Sequence, residues 1–263
     1  MDLQLQGKVA FISGSTQGIG FAIAQKLLSE GASVIINGRS EERLNQSLQR
    51  LRSLFPEGNI SGIPADFSNF DEVQNLLKQL PAIDILVNNV GIFNMKSFVE
   101  ITDEDWMNIF EVNVMSSVRL CRKIISNMLE KKWGRIIFIS SESAINIPAD
   151  MIHYGMTKTA MMSISNGLSK LTKGTEVTVN TILGGPVYSD GVANVVEGIS
   201  KTNNISVNDI KEQIMKTNKP ESLINRFLEP SEIADVVSFL SSPISIAVNG
   251  TTIRADGGAI NTI

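Results

Sequence analysis

Seven short runs rich in β-branched residues recur along the chain: KVAFISG (8–14), SVIINGR (33–39), ISGIPAD (60–66), DILVNNVG (84–91), GRIIFISS (134–141), VTVNTILGG (177–185) and TTIRADGG (251–258). They are nearly continuous in apolar character rather than alternating, the pattern of parallel strands covered on both faces by helices. Between them, residues 40–55, 70–80, 102–132 and 153–173 read as helices, several opened by a Ser, Thr or Asp cap. Strand–helix alternation of this length predicts an α/β fold, a doubly wound parallel sheet whose ligand site lies at the carboxyl ends of the strands. With 263 residues and no linker, repeat or low-complexity segment, one domain spanning 1–263 is expected.

Composition narrows the partners. The chain carries 27 acidic against 23 basic residues, for a net charge of −4, and the basic ones are scattered. That argues against nucleic acid and for a small-molecule partner. No run approaches the ~18 apolar residues of a membrane span, and the start, MDLQLQGKVAFIS, has no basic segment leading into an apolar one. A soluble, cytoplasmic protein with no membrane partner is expected. Cys121 stands alone and no Cys/His cluster has ligand spacing, so neither a disulfide nor a metal is expected.

Chemistry enters at SGSTQGIG (13–20), which follows the first strand and opens the first helix. Gly14, Gly18 and Gly20 fall where backbone would approach a pyrophosphate at a helix N-terminus, although glycines there also suit a plain turn. The second strand ends in INGRS, where Gly38 takes the place an NAD-selective carboxylate would occupy. Arg39 follows and can pair bidentately with a 2′-phosphate, unless it serves only the start of the next helix with Ser40. HYGMTK (153–158) sets Tyr154 and Lys158 four places apart, on one helix face. Alone this is a common surface pair, but an ammonium beside a phenol favours the phenolate, so the Tyr154 pKa should fall. IFISSES (137–143) supplies hydroxyls shortly before that helix, with Ser140, Ser141 and Ser143 as candidates. Asn113 is a poor helix former inside a long helical stretch and asks for a reason.

The G-x-x-x-G-x-G loop, NNVG (88–91) and Y-x-x-x-K together resemble the short-chain dehydrogenase/reductase family, over residues 6 to 260, and within it the NADP-preferring 3-oxoacyl-ACP-reductase-like members. The resemblance implies a seven-stranded Rossmann fold with strand order 3-2-1-4-5-6-7, and NADP(H) as cofactor in preference to NAD(H). It implies a catalytic tetrad of Asn113, Ser141, Tyr154 and Lys158, Ser141 being selected by its place thirteen positions before the tyrosine. Cofactor contacts are implied for Gly14, Ser15, Thr16, Gly18, Ile19 and Gly20, for Arg39 and Ser40, and for Asp66 at the adenine edge. Asn88, Gly91, Tyr154, Lys158, Val187 and Ser189 would complete the set. Departures are Val90 for Ala, Ala144 for Gly, Gly184 at the usual proline with Pro186 two places later, and Ser189 for Thr.

The expected activity is hydride transfer between NADP(H) and a ketone or secondary alcohol, with Tyr154 as acid or base. The alternative is a dinucleotide-binding sensor on the same fold with little turnover. His153 is expected to line the substrate pocket rather than to act in catalysis. Residues 188–226 carry no decodable motif; they are expected to form a mobile lid with Val192, Val195, Val196 and Ile199 as an apolar wall. Gly184 and Gly185 should leave the backbone before it freer than a Pro-Gly pair would. A helix apolar on more than one face, with Met156, Ala160, Met161, Met162, Ile164 and Leu168, points to a homo-oligomer, by resemblance a tetramer.

Overall fold

The strands form because successive residues feed opposite faces of one sheet. Ala10 and Ile12 enter one core with Ile137 and Ile139, while Phe11 enters the other with Ile136 and Phe138. In this computed structural model, which describes residues 1–261, the strands are β1 (Val9–Ile12), β2 (Ser33–Gly38), β3 (Ile60–Pro64) and β4 (Ile85–Asn88), followed by β5 (Trp133–Ser141), β6 (Glu176–Gly184) and β7 (Thr252–Ala255). The last two positions of the domain expected over 1–263 lie outside the described residues. All pairings are parallel, in the order β3-β2-β1-β4-β5-β6-β7, as the resemblance implied.

Helices α1 (Gly18–Ser29), α2 (Glu41–Leu54), α3 (Phe70–Gln79), α4 (Asp103–Phe110) and α5 (Ser116–Glu130) precede α6 (Ile152–Ser169), α7 (Asp190–Asn203), α8 (Val207–Asn218) and α9 (Pro230–Ser241). The first core is closed by α1, α2 and α9 through residues such as Leu27, Leu51 and Val237; the second by α3, α5 and α6 through Leu76, Leu120 and Met161. Each such side chain, removed from water, contributes about 1.5–3 kcal/mol. Of the apolar residues on α6, only Met161 is wholly buried, and Met156, Ala160, Met162, Ile164 and Leu168 are half-buried.

The single helix expected over 102–132 is in fact two. Thr102 and Asp105 form a capping box that starts α4, and a π-helical turn, Glu111–Met115, separates it from α5. Wide turns of this kind recur at functional sites, and Asn113 sits in the middle of this one.

Segment 188–226 is largely a helical hairpin of α7 and α8, turned through Asn204 in the left-handed region at φ 55°. Asparagine tolerates that conformation. Its expected apolar wall is mostly absent: Val196 is buried, Val195 is 39% exposed, Ile199 is half-buried, and Val192 alone lines the cleft described below. Among the described residues no helix is long and apolar enough to cross a membrane, and no His, Cys, Asp and Glu cluster could hold a metal.

Candidate active site

The loop after β1 needs its glycines. Gly14 and Gly18 have φ of 61° and 57°, where a side chain would be strained. A Cβ on Gly20 would lie 2.5 Å from the Gly14 carbonyl oxygen and 2.6 Å from Asn89 Nδ2. The Val90 departure is accommodated here, since its Cγ2 comes within 3.0 Å of the place where a Gly14 Cβ would stand.

Ser15 is wholly buried. It donates to Ile12 O (2.7 Å) and accepts from Asn37 N (2.9 Å), so its hydroxyl holds the loop on β2 instead of facing the cleft. Asn37 Oδ1 in turn accepts from Gly14 N at 3.1 Å, a brace that no sequence motif signalled.

The start of α1 lacks a side-chain cap from Gln17. Its Gly18 N–H donates instead to Asp190 Oδ2 at 2.6 Å, across 172 residues. A carboxylate from the first turn of α7 therefore stands where the positive end of the α1 dipole favours an anion. Ile19 and Thr16 flank this point, both half-buried. A glycine cradle that admits an oxygen anion fits the pyrophosphate of a dinucleotide.

At the end of β2, a Cβ on Gly38 would lie 2.5 Å from Thr16 Cγ2, so an acidic side chain has no room there unless Thr16 turns away. Ser40 alone caps α2, accepting from Arg43 N at 3.3 Å. Arg39 is exposed and makes no hydrogen bond or ion pair with the described residues. Asp66 closes a turn after β3: its Oδ1 accepts from Ser68 N (2.9 Å) and Ser68 Oγ (2.7 Å), leaving Oδ2 open.

The carboxyl end of β5 and the first turns of α6 face each other across a cleft of about 580 Å³. Ser141 Oγ accepts from Ser143 N at 3.1 Å, and its hydroxyl is set against the Tyr154 phenol at the cleft. Ser140 is taken up in bracing α6, donating to Lys158 O at 2.9 Å. Asn113 is fully buried; its Oδ1 accepts from Ile92 N (2.8 Å) while its Nδ2 donates to Ile92 O (2.9 Å) and Thr157 Oγ1 (3.0 Å). It thus ties the loop after β4 to α6. Gly91 lies in that loop, and its missing side chain leaves room for Lys158 Nζ, which a Cβ would approach to 3.2 Å.

The expected fall of the tyrosine pKa is not what this structure shows. Lys158 Nζ donates to Ile139 O at 3.0 Å and lies 5.6 Å from the Tyr154 ring centroid, so the ammonium serves a backbone carbonyl and not the phenol. Burial pushes the Tyr154 phenol up to about 12, against the Ser141 hydroxyl and with the help of Glu142. The same burial brings Lys158 down to about 8, with no carboxylate beside it to hold its charge.

Two other residues are placed differently from expectation. His153 is wholly buried, touching Asn94 through Nε2 and meeting the Trp106 ring edge-on at 5.8 Å; it does not line the cleft. Asn88 turns its amide to Cys121 Sγ (3.5 Å) inside the second core, and its neighbour Asn89 reaches the cleft. An apolar interior, which a motif does not reveal, claims both side chains.

Over the cleft, Tyr188 N donates to Leu228 O and Leu228 N to Pro186 O, both at 2.8 Å, and the Val187 N–H between them has no partner among the described residues. Ser189, the N-cap of α7, makes no capping bond with its hydroxyl. The backbone freedom expected before this segment is curtailed. Gly184 ends β6 paired with Ala255, and a Cβ on Gly185 would lie 2.6 Å from Asp256 O.

Comparison with known proteins matches the short chain dehydrogenase family over residues 8–200. An uncharacterised oxidoreductase of Bacillus subtilis is 46% identical over the full length of both chains. A 3-oxoacyl-[acyl-carrier-protein] reductase of Aquifex aeolicus is 33% identical, covering 98% of this chain and 99% of that one. Among solved structures, L-sorbose reductase of Gluconobacter frateurii, complexed with NADPH and L-sorbose, superposes with a TM-score of 0.94 at 28% identity over all of both chains.

Proposed function

The chain belongs to the short-chain dehydrogenase family, and from that premise we propose that it is an NADP(H)-dependent oxidoreductase acting on a ketone or secondary alcohol. The observation that carries this reading is the convergence of Ser141, Tyr154 and Lys158 on one cleft, beneath Val187 and Ser189. A bound nicotinamide would supply or accept the hydride; the chain supplies everything else. Ser141 donates its hydroxyl proton in a hydrogen bond to the carbonyl oxygen, where negative charge develops during reduction. Tyr154, held protonated by burial, delivers the proton to the same oxygen. Lys158 is a positioning group in the cofactor-free chain and is close enough to the cleft to grip a ribose hydroxyl. Asn113 keeps the Ile92 loop and α6 in register with both.

The unpartnered Arg39 beside the crowded Gly38 supports NADP(H) over NAD(H). Equilibrium titration is expected to show NADPH binding more tightly than NADH by roughly 1–3 kcal/mol, the worth of a charge-assisted bidentate contact. Arg39→Ala should remove most of that difference, and a ratio unchanged by the substitution would sink the assignment.

Asp190 and a pyrophosphate would compete for the Gly18 N–H. Removing the carboxylate in Asp190→Ala is therefore expected to tighten NADP(H) binding by about fivefold, the scale of one helix-terminus charge interaction. On this reading α7 is the mobile part of segment 188–226, released from α1 as the cofactor enters. Weaker or unaltered binding by calorimetry would mean that the carboxylate and the anion do not share a place.

A further inference from the structure

We propose that the ion pair between Glu142 and Lys219 is the substrate-recognition device of this cleft, and that it selects a neutral polyhydroxylated ketone carrying hydroxyls on the carbons beside the carbonyl. This rests on the reductase reading above and names its substrate class.

Glu142 follows Ser141 directly, so their Cα atoms are about 3.8 Å apart and the carboxylate is carried past the group that receives the carbonyl oxygen. It opens a short 3-10 turn, Glu142–Ala144, is 5% exposed and lines the cleft. Its Oε1 meets Lys219 Nζ at 2.5 Å. Lys219 is the C-cap of α8, so the pair joins the floor of the site to the end of the helical hairpin above it.

Burying two charges is expensive unless their remaining hydrogen-bonding capacity is filled. A carboxylate accepts about four hydrogen bonds and an ammonium donates three. Neither Glu142 Oε2 nor the other Lys219 hydrogens have a partner among the described residues. Three further polar side chains on the same wall, Ser143, Asn146 and Asn218, make no side-chain hydrogen bond with the described residues either. A wall of unfilled donors and acceptors next to Ser141 matches vicinal hydroxyls, each of which both donates and accepts.

Charge excludes the competitors. Glu142 already neutralises Lys219, and Asp150 stands on the same cleft, so a substrate carboxylate would face two acidic side chains. An alkyl or acyl chain would strip water from the ion pair and return no hydrogen bond. A site built to bond a substrate hydroxyl rejects the analogue lacking it by as much as 10⁴-fold.

The test compares, with NADPH, a ketohexose, an aliphatic methyl ketone of the same chain length, an acetoacetyl thioester and a keto acid. The wild-type kcat/KM for the ketohexose is expected to exceed that for the methyl ketone by at least ~10². The isosteric Glu142→Gln and, separately, Lys219→Met should each collapse that ratio to within about tenfold. Preference for the thioester, the keto acid or the methyl ketone overturns the proposal. So does an equal loss on every substrate in both variants, which would make the pair a latch for the hairpin. Should the wild type reduce none of the four, the reductase reading fails, and calorimetric titration of the ketohexose into the NADP-loaded protein decides the inference alone. Binding that Glu142→Gln abolishes upholds it; no binding to the wild type overturns it.

Discussion

Tyr154→Phe is expected to lower kcat for carbonyl reduction by at least ~10³, within the 10²–10⁴-fold span of acid–base catalysis, while the Kd for NADP(H) stays within about threefold. The substitution removes one hydroxyl and little volume. The ring keeps its edge-on contact with Phe93 at 6.0 Å, and the backbone carbonyl of residue 154 still accepts from Thr157 Oγ1 at 2.7 Å. What disappears is a proton. Because burial holds the phenol at about 12, it is fully protonated through the neutral range and ready to act as an acid without any prior ionisation. Single-turnover absorbance at the nicotinamide band, together with a binding titration, separates the two effects. A variant that keeps more than ~1% of activity would show that another group delivers the proton. Loss of cofactor binding in step with turnover would instead assign Tyr154 to the cofactor site alone.

The fold was legible because burial on both faces leaves its mark on every strand. Continuous apolar runs such as GRIIFISS follow from Ile136 and Phe138 facing one core while Ile137 and Ile139 face the other. The glycine loop and the tyrosine–lysine pair were legible for a related reason: a close backbone approach and a shared helix face restrict residue type and spacing together. What could not be read is set by contacts across long stretches of chain. Asp190 reaches Gly18 across 172 residues, and Lys219 reaches Glu142 from the far side of the hairpin; neither stands at a fixed spacing from a motif. The π-helical turn at Asn113 escaped because the bonds that go with it run to Ile92 in the loop after β4, at no spacing a motif would show. The tyrosine pKa went the other way because sharing a helix face puts Lys158 near the ring without pointing Nζ at the hydroxyl, and desolvation then outweighs a charge directed elsewhere.

The lysine gives the clearest conflict between stability and function. Lys158→Met is expected to reduce turnover by at least ~10², since the ribose contact and the positioning of the nicotinamide beside Tyr154 go with the ammonium. The cofactor-free protein should nonetheless become more stable at pH 7, by on the order of 1–3 kcal/mol. Burial lowers the lysine pKa from 10.5 to about 8, so the charged form is disfavoured by folding, and each unit of such a shift is worth about 1.4 kcal/mol. One hydrogen bond to Ile139 O (3.0 Å) offsets part of the gain, leaving the net at the lower end of that range.

The sign of the pH dependence follows from proton counts. Between about 8 and 10.5 the unfolded chain holds a proton on this lysine that the folded chain has released, so wild-type stability rises with pH across that window. Below it the penalty is constant and fully present. Above pH 10 the raised Tyr154 pKa acts in the opposite direction, because the folded chain keeps a proton that the unfolded chain loses only up to about 12, and stability falls there. Denaturant unfolding from pH 7 to 10 should therefore show the wild type gaining on Lys158→Met steadily above pH 8, and adding NADP at pH 7 should stabilise the wild type far more than the variant. A variant less stable than the wild type at pH 7, with a difference that does not change up to pH 10, would mean that Lys158 keeps its proton in the fold as it does in the unfolded chain, so that burial does not disfavour its charge.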